Sequence, residues 1–282
     1  MTKVAQAPLT YDSQLEKMEI ELLLEAIYRH YGFDFRSYAF SSIRRRIWKR
    51  VNAEGLSNVT ALQERILHDS KVMERLLLDL SINVTAMFRD PGFYKAFRED
   101  VVPLLRTYPF IRVWHAGCST GEEVYSMAIL LEEEGLLARS RLYATDINEV
   151  VLQQARAGIF PLERMQEYTE NYIKAGGKRS FSEYYTAKYD GALFSPALTE
   201  HVVFSQHNLV TDRSFSEFNV ILCRNVLIYF DKSLQARVQG LFYDSLVHFG
   251  ILGLGSKESL KFSQYEDCYE QIAAEKIYRK IK

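Results

Sequence analysis

The chain has 282 residues, which at roughly 150 residues per domain predicts about two domains. Its residues are 48% hydrophobic and 25% charged, proportions typical of a folded protein and not of a disordered one. Lys and Arg number 35 against 36 Asp and Glu, so the formal net charge of −1 excludes a global basic footprint for nucleic acid, although not a local basic patch.

The chain has three cysteines, Cys118, Cys223 and Cys268, and none of them belongs to a C-x-x-C pair. This excludes a disulfide scaffold, argues against a structural zinc site and is typical of a reducing compartment. The N-terminus has no apolar core of signal-peptide length, and no run approaches the roughly 20 apolar residues of a membrane span. We therefore expect a cytoplasmic protein without a metal site and without direct membrane insertion.

The first 80 residues are predicted to form four helices, after a loose tail over residues 1 to about 12. The first helix is predicted from apolar residues at spacings of three and four: Leu15, Met18, Leu22, Leu23, Ala26 and Ile27. The inward positions of the other three are predicted to be Phe40, Ile43, Ile47 and Val51, then Leu62, Ile66 and Leu67, then Met73, Leu76, Leu77 and Leu80. Gly32 and Gly55 are the expected stops of the first two helices, and Ser57 and Asn58 are candidate caps of the third.

From about residue 110 the pattern changes to short apolar runs that alternate with helical stretches. The predicted strands are IRVWHAG, RLYATDI, HVVFSQHNL, FNVILCRN and FGILGLGS. Near-continuous apolar runs are typical of buried parallel strands, and alternation with helices, predicted at 122–134, 148–156 and 231–248, indicates an α/β sheet. The interval 159–200 breaks the alternation and is predicted to be an insertion with a helix at about 162–174 and a small antiparallel sheet.

The turn after the first strand is the most informative motif. Gly117 and Gly121 allow close approach of a ligand, and ligands of open α/β sheets bind at such turns. Glu122 and Glu123 follow where a phosphate-binding loop would have Lys and Ser or Thr, so the turn favours a cationic ligand such as S-adenosylmethionine. The alternative is that the two acids only cap the helix.

The ends of the next strands carry further candidates. Asp146 is placed to accept hydrogen bonds from ribose hydroxyls, although it could instead cap the next helix. NAD would use the same layout, but the first turn lacks the G-x-G-x-x-G spacing. Asn208 and Leu209 could contact an adenine, or form a turn without a ligand. Arg224 and Asn225 end the fourth strand, either beside the same cleft or within an ordinary helix cap.

The motifs SINVTAMFRD, VWHAGCSTGEEVYS, ATDI, HNL, CRNVLIYF and LGLGSKES, in this order, resemble the CheR family of methyltransferases. The resemblance spans the chain and implies S-adenosylmethionine-dependent esterification of glutamates in bacterial chemoreceptors, with S-adenosylhomocysteine as product. It implies an all-α N-terminal domain followed by an α/β Rossmann-like methyltransferase domain with a small inserted β-subdomain. The expected boundaries are 1–82 for the helical domain, 83–110 for a linker and first helix at the cofactor site, and 111–282 for the methyltransferase domain.

The resemblance also implies residue roles. Cofactor contacts carried over are Asn83, Thr85, Arg89, Gly117, Glu123, Asp146, Asn208, Leu209, Arg224 and Asn225. Whether Glu122 or Glu123 contacts the cofactor stays open. Tyr229 matches an active-site tyrosine, and Arg106 is the candidate for an arginine beside the reacting carboxylate. Two positions depart from the family pattern, Met87 in place of a Phe and Lys257 in the last motif.

A basic helix lies between Asp34 and Glu54, a window without acidic residues. The residues predicted to dock substrate are Arg44, Arg45, Arg46, Lys49 and Arg50. Charge runs of this kind are usually a solvated face, and nucleic-acid binding is disfavoured because exposed aromatics are not interleaved. The resemblance implies that this helix faces the acidic methylation helices of a receptor, an attraction that salt would screen. Tyr184, Tyr185 and Tyr189 of the insertion either grip a receptor tail or pack their own core.

The implied chemistry needs few groups, because a glutamate carboxylate is already ionised at pH 7 and requires no general base. Tyr229 and Arg106 are assigned to orienting it. Two alternatives remain: a methyltransferase of the same fold with another protein or small-molecule substrate, and a non-catalytic adaptor that senses S-adenosylmethionine. We expect a monomer, since no long exposed apolar seam is evident.

Overall fold

A computed structural model describes residues 13–81 and 85–282. The predicted N-terminal tail and Asn83 lie outside these ranges. The described chain divides into two compact units. The first contains the residues up to Ser81 together with Tyr229–Asp231, and the second contains the rest from Thr85 onward. Three residues of the C-terminal half therefore belong to the helical unit, which the predicted boundaries did not anticipate.

The helical unit contains α1 (Ser13–Tyr31), α2 (Phe40–Ala53), α3 (Val59–His68) and α4 (Ser70–Leu80). Asn58 caps α3 as predicted, since its side chain accepts a hydrogen bond from the backbone N–H of Ala61 at 2.8 Å. Gly32 follows α1 with φ of 78°, a left-handed conformation that suits glycine and ends the helix. All four predicted inward positions of α4 are buried.

The predicted inward face of α1 is wrong in part. Leu15, Met18 and Leu22 are 49%, 56% and 55% exposed, whereas Ile20 and Leu24 are buried together with the correctly predicted positions. The helix has apolar residues on two faces, so the spacing alone did not select the buried one. Neighbouring helices select it, because α1 packs against α3.

The second unit begins with α5 (Pro91–Ala96), a π-helical turn over Phe97–Val101 and α6 (Val102–Leu105). Its central sheet has seven strands in the order β6-β2-β1-β7-β8-β10-β9. These are β1 (Ile111–Ala116), β2 (Ser140–Asp146), β6 (Val202–Gln206), β7 (Phe218–Cys223), β8 (Leu246–Leu254), β9 (Tyr269–Ala273) and β10 (Ile277–Lys280). The first five include every predicted strand and pair in parallel. The β9–β10 hairpin is antiparallel and was not predicted.

The helices that follow β1, β2 and β7 along the chain are α7 (Glu122–Glu133), α8 (Glu149–Ala157) and α10 (Lys232–Ser245). The prediction of a helix to residue 248 is wrong, because β8 begins at Leu246. The run from Leu246 contains Val247 and Phe249, residue types that favour strands. Leu246 also pairs with Phe218 of β7, so local strand preference and tertiary pairing act together to end the helix at Ser245.

The predicted insertion contains α9 (Met165–Lys174) and a three-stranded antiparallel sheet in the order β3-β5-β4. Its strands are β3 (Ile159–Pro161), β4 (Tyr185–Lys188) and β5 (Gly191–Phe194). Tyr184 is buried, whereas Tyr189 is 88% exposed. Of the candidate receptor-gripping tyrosines, Tyr184 is therefore part of a packed core.

The carboxylate of Glu133, at the end of α7, ties the insertion to the main sheet. Its side chain is fully buried and pairs with Arg98. It also accepts hydrogen bonds from the hydroxyls of Tyr172 and Tyr184 and from the backbone N–H of Lys178. Burial opposes ionisation, but these donors and Arg98 outweigh it and hold the pKa of Glu133 below its usual value of 4.5.

Replacing Glu133 with Gln is expected to lower the free energy of unfolding by about 3 kcal/mol at pH 7, because Arg98 loses a buried partner. A carboxyl whose folded pKa is depressed stabilises the fold above its unfolded pKa and loses this contribution as pH falls through the folded value. The deficit of the variant should therefore shrink progressively below pH 4.5. Urea unfolding of both proteins at a series of pH values measures it.

Glu132→Gln is the matched control, since the Glu132 side chain is 37% exposed and its ion pair with Arg179 spans 3.5 Å. Exposed pairs of this kind contribute at most about 1 kcal/mol. Equal losses in the two variants, or a Glu133→Gln deficit that stays constant down to pH 3, would contradict the assignment.

No helix within the described ranges is long and apolar enough to cross a membrane.

Candidate functional site

The site lies at the carboxyl edge of the parallel strands. β6, β2, β1 and β7 are neighbours in that order, and all run in the same direction. The turns that follow β6, β1 and β7 carry Asn208, Gly117 and Arg224, respectively, and Asp146 is the last residue of β2. The structure therefore brings together these four candidates, which the sequence spreads over about a hundred residues. This edge is where ligands of open α/β sheets bind.

The glycine turn is folded tightly against its neighbours. Gly117 has φ of 81°, and its backbone N–H donates to the carbonyl of Thr145 at 2.9 Å. A Cβ at this position would lie 2.7 Å from Cγ2 of Val226. A side chain at residue 117 would therefore collide with the segment after β7, and only glycine lets the two turns approach.

Asp146 joins the glycine turn to the start of α8. Its carboxylate accepts hydrogen bonds from the backbone N–H of Ser119 at 2.9 Å and of Asn148 at 3.0 Å. Burial nevertheless raises the pKa of Asp146 above its usual value, and these two bonds only moderate the shift. The N-cap of α8 is Asn148, so the alternative that Asp146 is itself the cap is wrong.

The two acids that open α7 have different surroundings. Glu122 is buried and accepts hydrogen bonds from the hydroxyls of Thr120 at 2.6 Å and Tyr168 at 3.3 Å. Burial raises the pKa of Glu122. Glu123 lies between Nδ1 of His115 at 3.0 Å and Nη1 of Arg224 at 3.3 Å.

Burial would raise the pKa of Glu123 as well, but the hydrogen bond with His115 and the charge of Arg224 outweigh it, so the net shift is downward. Glu123 is therefore the acid held as a carboxylate, and it is the better counter-ion for a ligand cation. Sequence reasoning missed His115, whose only signal was a polar residue inside an apolar strand. His115 is fully buried and fixes one oxygen of Glu123.

Arg224 is a connecting residue. Its side chain is 2% exposed, and Nη2 donates to the carbonyl of Arg89 at 2.8 Å and pairs with Asp90 at 2.9 Å. Its guanidinium lies 4.2 Å from the ring centre of Phe93. Arg224 thus joins the acid of the glycine turn, through Glu123, to the 89–90 turn. Both terminal nitrogens of Arg224 are hydrogen-bonded, whereas its Nε has no hydrogen-bond partner among the described residues.

Glu258, in the last motif, was also not singled out from the sequence. Its carboxylate accepts hydrogen bonds from the backbone N–H groups of Asn225, Val226, Leu227 and Gly255, at 2.6–2.9 Å. It therefore fixes the turn after β7, where Asn225 has φ of 63°. An acid just beyond the end of a strand was the available signal. Lys257 beside it is exposed, and the other departure, Met87, is fully buried.

Asn208 follows β6 and was predicted either to contact an adenine or to form a turn without a ligand. The Asn208 side chain accepts a hydrogen bond from the backbone N–H of Val210 at 2.9 Å, which makes it a turn residue. It is still half-buried at the same edge as Asp146, and Leu209 is 9% exposed. An adenine contact by these two residues stays a prediction.

Arg106 lies elsewhere. It follows α6 and precedes β1, and its Nη2 pairs with Glu134 at 3.0 Å. Glu134 caps the far end of α7, and a helix rises about 1.5 Å per residue, so it lies roughly 18 Å along the axis from Glu122. Arg106 therefore lies at the amino end of β1, away from the candidate site. Its predicted position beside the reacting carboxylate is wrong.

Tyr229 belongs to the helical unit. Its carbonyl accepts a hydrogen bond from the backbone N–H of Ala39 at 2.9 Å, and Phe230 forms a β-bridge with Tyr38. The guanidinium carbon of Arg46 lies 4.8 Å from the ring centre of Tyr229. Arg46 is 4% exposed and donates through Nη1 to the carbonyl of Leu80, whereas its buried Nη2 has no hydrogen-bond partner among the described residues.

The predicted docking residues of α2 are mostly engaged. Arg46 is buried, and Arg50 is held by Asp79 and Glu54. Arg44 pairs with Glu16, and Lys49 pairs with Asp79. Arg45 is exposed. Arg46 therefore does not share the exposure of Arg45, because its side chain packs onto the carbonyl end of α4.

The donors and acceptors at the strand edge fit S-adenosylmethionine. An ionised acid in Glu123 suits its cationic end, and the half-buried Asp146 suits ribose hydroxyls. No group of three or more His, Cys, Asp or Glu side chains that could hold a metal occurs within residues 13–81 and 85–282.

Comparison with known proteins agrees with this geometry. The family model of the CheR methyltransferase S-adenosylmethionine-binding domain matches residues 83–277, and the model of the CheR methyltransferase all-alpha domain matches residues 18–81. The chain is 54% identical over 264 residues to Cher3 of Pseudomonas putida, a methyltransferase by name, covering 93% of this chain and 97% of that protein.

More distant relatives carry the name chemotaxis protein methyltransferase. That of Listeria innocua is 28% identical over 234 residues, covering 82% of this chain and 86% of the relative. That of Escherichia coli is 28% identical over 250 residues, covering 86% and 84%.

Proposed function

This chain belongs to the CheR family of S-adenosylmethionine-dependent methyltransferases, and from that premise we propose that it methylates glutamate side chains of chemoreceptors. The products are a glutamyl methyl ester and S-adenosylhomocysteine. The names of the relatives support a chemotaxis substrate. The observation that best supports a carboxylate substrate is the buried guanidinium of Arg46, whose carbon lies 4.8 Å from the ring centre of Tyr229 and whose Nη2 has no hydrogen-bond partner in the part of the chain that the structure describes.

The cofactor supplies an electrophilic methyl group on a sulfonium sulfur when it is bound. We assign the methionine end to Glu123 and the Gly117 turn, and the ribose to Asp146. Thr85 and Arg89 are assigned to covering the cofactor, as is Asn83, which the structure does not describe. Asn208, Leu209 and Asn225 are assigned to the adenine side and the β7 turn. Arg224 acts through Glu123 and Arg89, which it holds at 3.3 and 2.8 Å.

The acceptor glutamate needs orientation and partial removal from water, because its carboxylate is already ionised at neutral pH. Arg46 replaces Arg106 as the cation for this purpose. Its buried Nη2 has no hydrogen-bond partner within residues 13–81 and 85–282, and burial lowers the pKa of the guanidinium, which marks the cost of holding this charge without a carboxylate. A substrate carboxylate would remove that cost, and the hydroxyl of Tyr229 would fix a carboxylate oxygen.

Docking of an acidic receptor helix is assigned to the exposed part of α2, centred on Arg45. Reversing its charge in Arg45→Glu is expected to raise the KM for receptor by about three- to tenfold at low salt, and by less at high salt, because exposed charges are screened. Initial rates at 20 and 300 mM salt, together with S-adenosylhomocysteine affinity, measure this. Cofactor affinity should not change.

Lys71→Glu on α4 is the matched control, since it makes the same charge change on the same unit at another exposed residue. If the two variants have the same KM, docking by Arg45 is ruled out and its charge serves only as a solvated face.

Methyl transfer from radiolabelled S-adenosylmethionine to a panel of receptor cytoplasmic fragments tests the function. Mild alkali should release the label as methanol, because a carboxyl methyl ester is alkali-labile. Label on another protein or small molecule would replace the receptor assignment with another substrate. Cofactor binding without any transfer would replace it with a sensing adaptor. We also propose a cytoplasmic monomer, for which light scattering should return a mass near 32.8 kDa.

A further inference from the structure

The segment Thr85–Asp90 holds an unfavourable conformation. Phe88 and Asp90 have φ of 50° and 57°, in the left-handed region that non-glycine residues rarely adopt. Such turns persist only where surrounding contacts hold them, and they cluster at ligand sites. Because this segment carries Thr85 and Arg89, whatever holds it also sets the position of two assigned cofactor contacts.

Three elements of the same unit hold this segment. Oγ of Ser126, on α7, accepts a hydrogen bond from the backbone N–H of Phe88 at 2.8 Å, and Nη2 of Arg224 donates one to the carbonyl of Arg89 at 2.8 Å. The third element is α9 of the insertion. Nδ2 of Asn171 on α9 donates to the carbonyl of Met87 at 3.1 Å, and Nη2 of Arg164, the residue immediately before α9, donates to the carbonyl of Thr85 at 3.1 Å.

The same helix also reaches the glycine turn and the core below the segment. The hydroxyl of Tyr168 donates to Glu122 at 3.3 Å. The ring of Tyr172 lies 5.3 Å from that of Phe88, in an edge-on arrangement. One face of α9 therefore contacts both walls of the cofactor site, the 85–90 segment and the start of α7.

We propose that α9 of the insertion and the residue before it position the 85–90 segment over the cofactor, with Asn171 and Arg164 as positioning residues. This deepens the proposed function, because it rests on the cofactor site assigned above. The insertion then has a role within the transferase itself, separate from any role in gripping a receptor. Neither residue touches the reacting atoms; both act through backbone carbonyls of the segment.

Asn171→Ala tests the proposal by calorimetric titration with S-adenosylhomocysteine. Loss of one hydrogen bond that orders the segment should raise the dissociation constant about five- to tenfold. The thermal midpoint should fall by only a few degrees, about 2–6 °C, because the carbonyl of the buried Met87 loses one hydrogen bond. Ile173→Ala is the matched control on the same helix, because Ile173 is 65% exposed and should change neither quantity.

Ligand-induced protection from hydrogen exchange separates a positioning role of Asn171 from a purely structural one. S-adenosylhomocysteine should slow exchange over 85–90 and over α9 together in the unaltered protein, and in Asn171→Ala the protection of α9 should be lost while that of the glycine turn remains. If Asn171→Ala fails to fold, Arg164→Ala removes the bond to Thr85 instead, with the same expected results.

A dissociation constant within twofold of the unaltered protein in a folded variant would overturn the proposal. Ligand protection that never extends to α9 would overturn it as well. Failure of the unaltered protein to bind S-adenosylhomocysteine would instead refute the cofactor assignment, so the two failures are distinct.

Discussion

Replacing Glu123 with Gln is expected to raise the dissociation constant for S-adenosylhomocysteine by about 100-fold, equivalent to about 2.7 kcal/mol. Glu123 is held as a carboxylate between His115 and Arg224, so the variant removes the negative partner for the ligand's ammonium group. It also leaves the charge of Arg224 with Asp90 alone. Calorimetric titration measures the affinity, and thermal unfolding separates it from loss of the fold.

Glu122→Gln is the matched control at the neighbouring position. Burial already raises the pKa of Glu122, and the amide of Gln can keep both contacts, because its oxygen accepts one of the hydroxyls of Thr120 and Tyr168 and its NH2 group donates to the oxygen of the other. Affinity should change less than threefold. A larger loss for Glu122→Gln than for Glu123→Gln would reverse the assignment of the two acids.

Replacing Tyr229 with Phe is expected to lower kcat about 30- to 100-fold while the dissociation constant for S-adenosylhomocysteine stays within twofold. Losing one orienting hydrogen bond to a reacting carboxylate costs about 2–3 kcal/mol in the transition state. The Phe ring keeps the contact with Arg46, so the helical unit should keep its stability. Steady-state methylation of a receptor fragment and a separate binding titration give the two quantities.

Arg106→Ala accompanies it as a control, since Arg106 pairs with Glu134 at the other end of α7. Its kcat and cofactor affinity should equal those of the unaltered protein. Full activity of Tyr229→Phe would remove the tyrosine from the mechanism, and a kcat loss in Arg106→Ala would restore the original assignment.

The sheet and the strand-edge candidates were accessible from the sequence because each depends on a short local signal. A near-continuous apolar run predicts a buried strand, and a residue just past its end must lie at the carboxyl edge. Gly117, Asp146 and Arg224 were located in this way, and the structure places them on neighbouring strands. The β9–β10 hairpin was missed because its strands are short and mixed in polarity.

Partners that come from distant parts of the chain were not accessible. His115 and Glu258 are single polar residues without a repeating pattern, and their importance lies in what they bond to. Arg46 belongs to a basic run that looks uniform in sequence, but α4 and Tyr229 bury it and leave Arg45 exposed. Arg106 was chosen by its distance along the chain from the glycine turn, which does not measure distance in space.

The sequence by itself determined the element types, the order of motifs and, through the resemblance those motifs carry, the family. Apolar periodicity and turn residues depend on only a few consecutive positions, so they can be recognised without knowledge of the tertiary contacts. The tertiary structure decided which face of α1 is buried, which acid at the start of α7 has a lowered pKa and which arginine lies beside Tyr229. These depend on desolvation and on partners tens of residues away, which only the packed chain brings within hydrogen-bond distance.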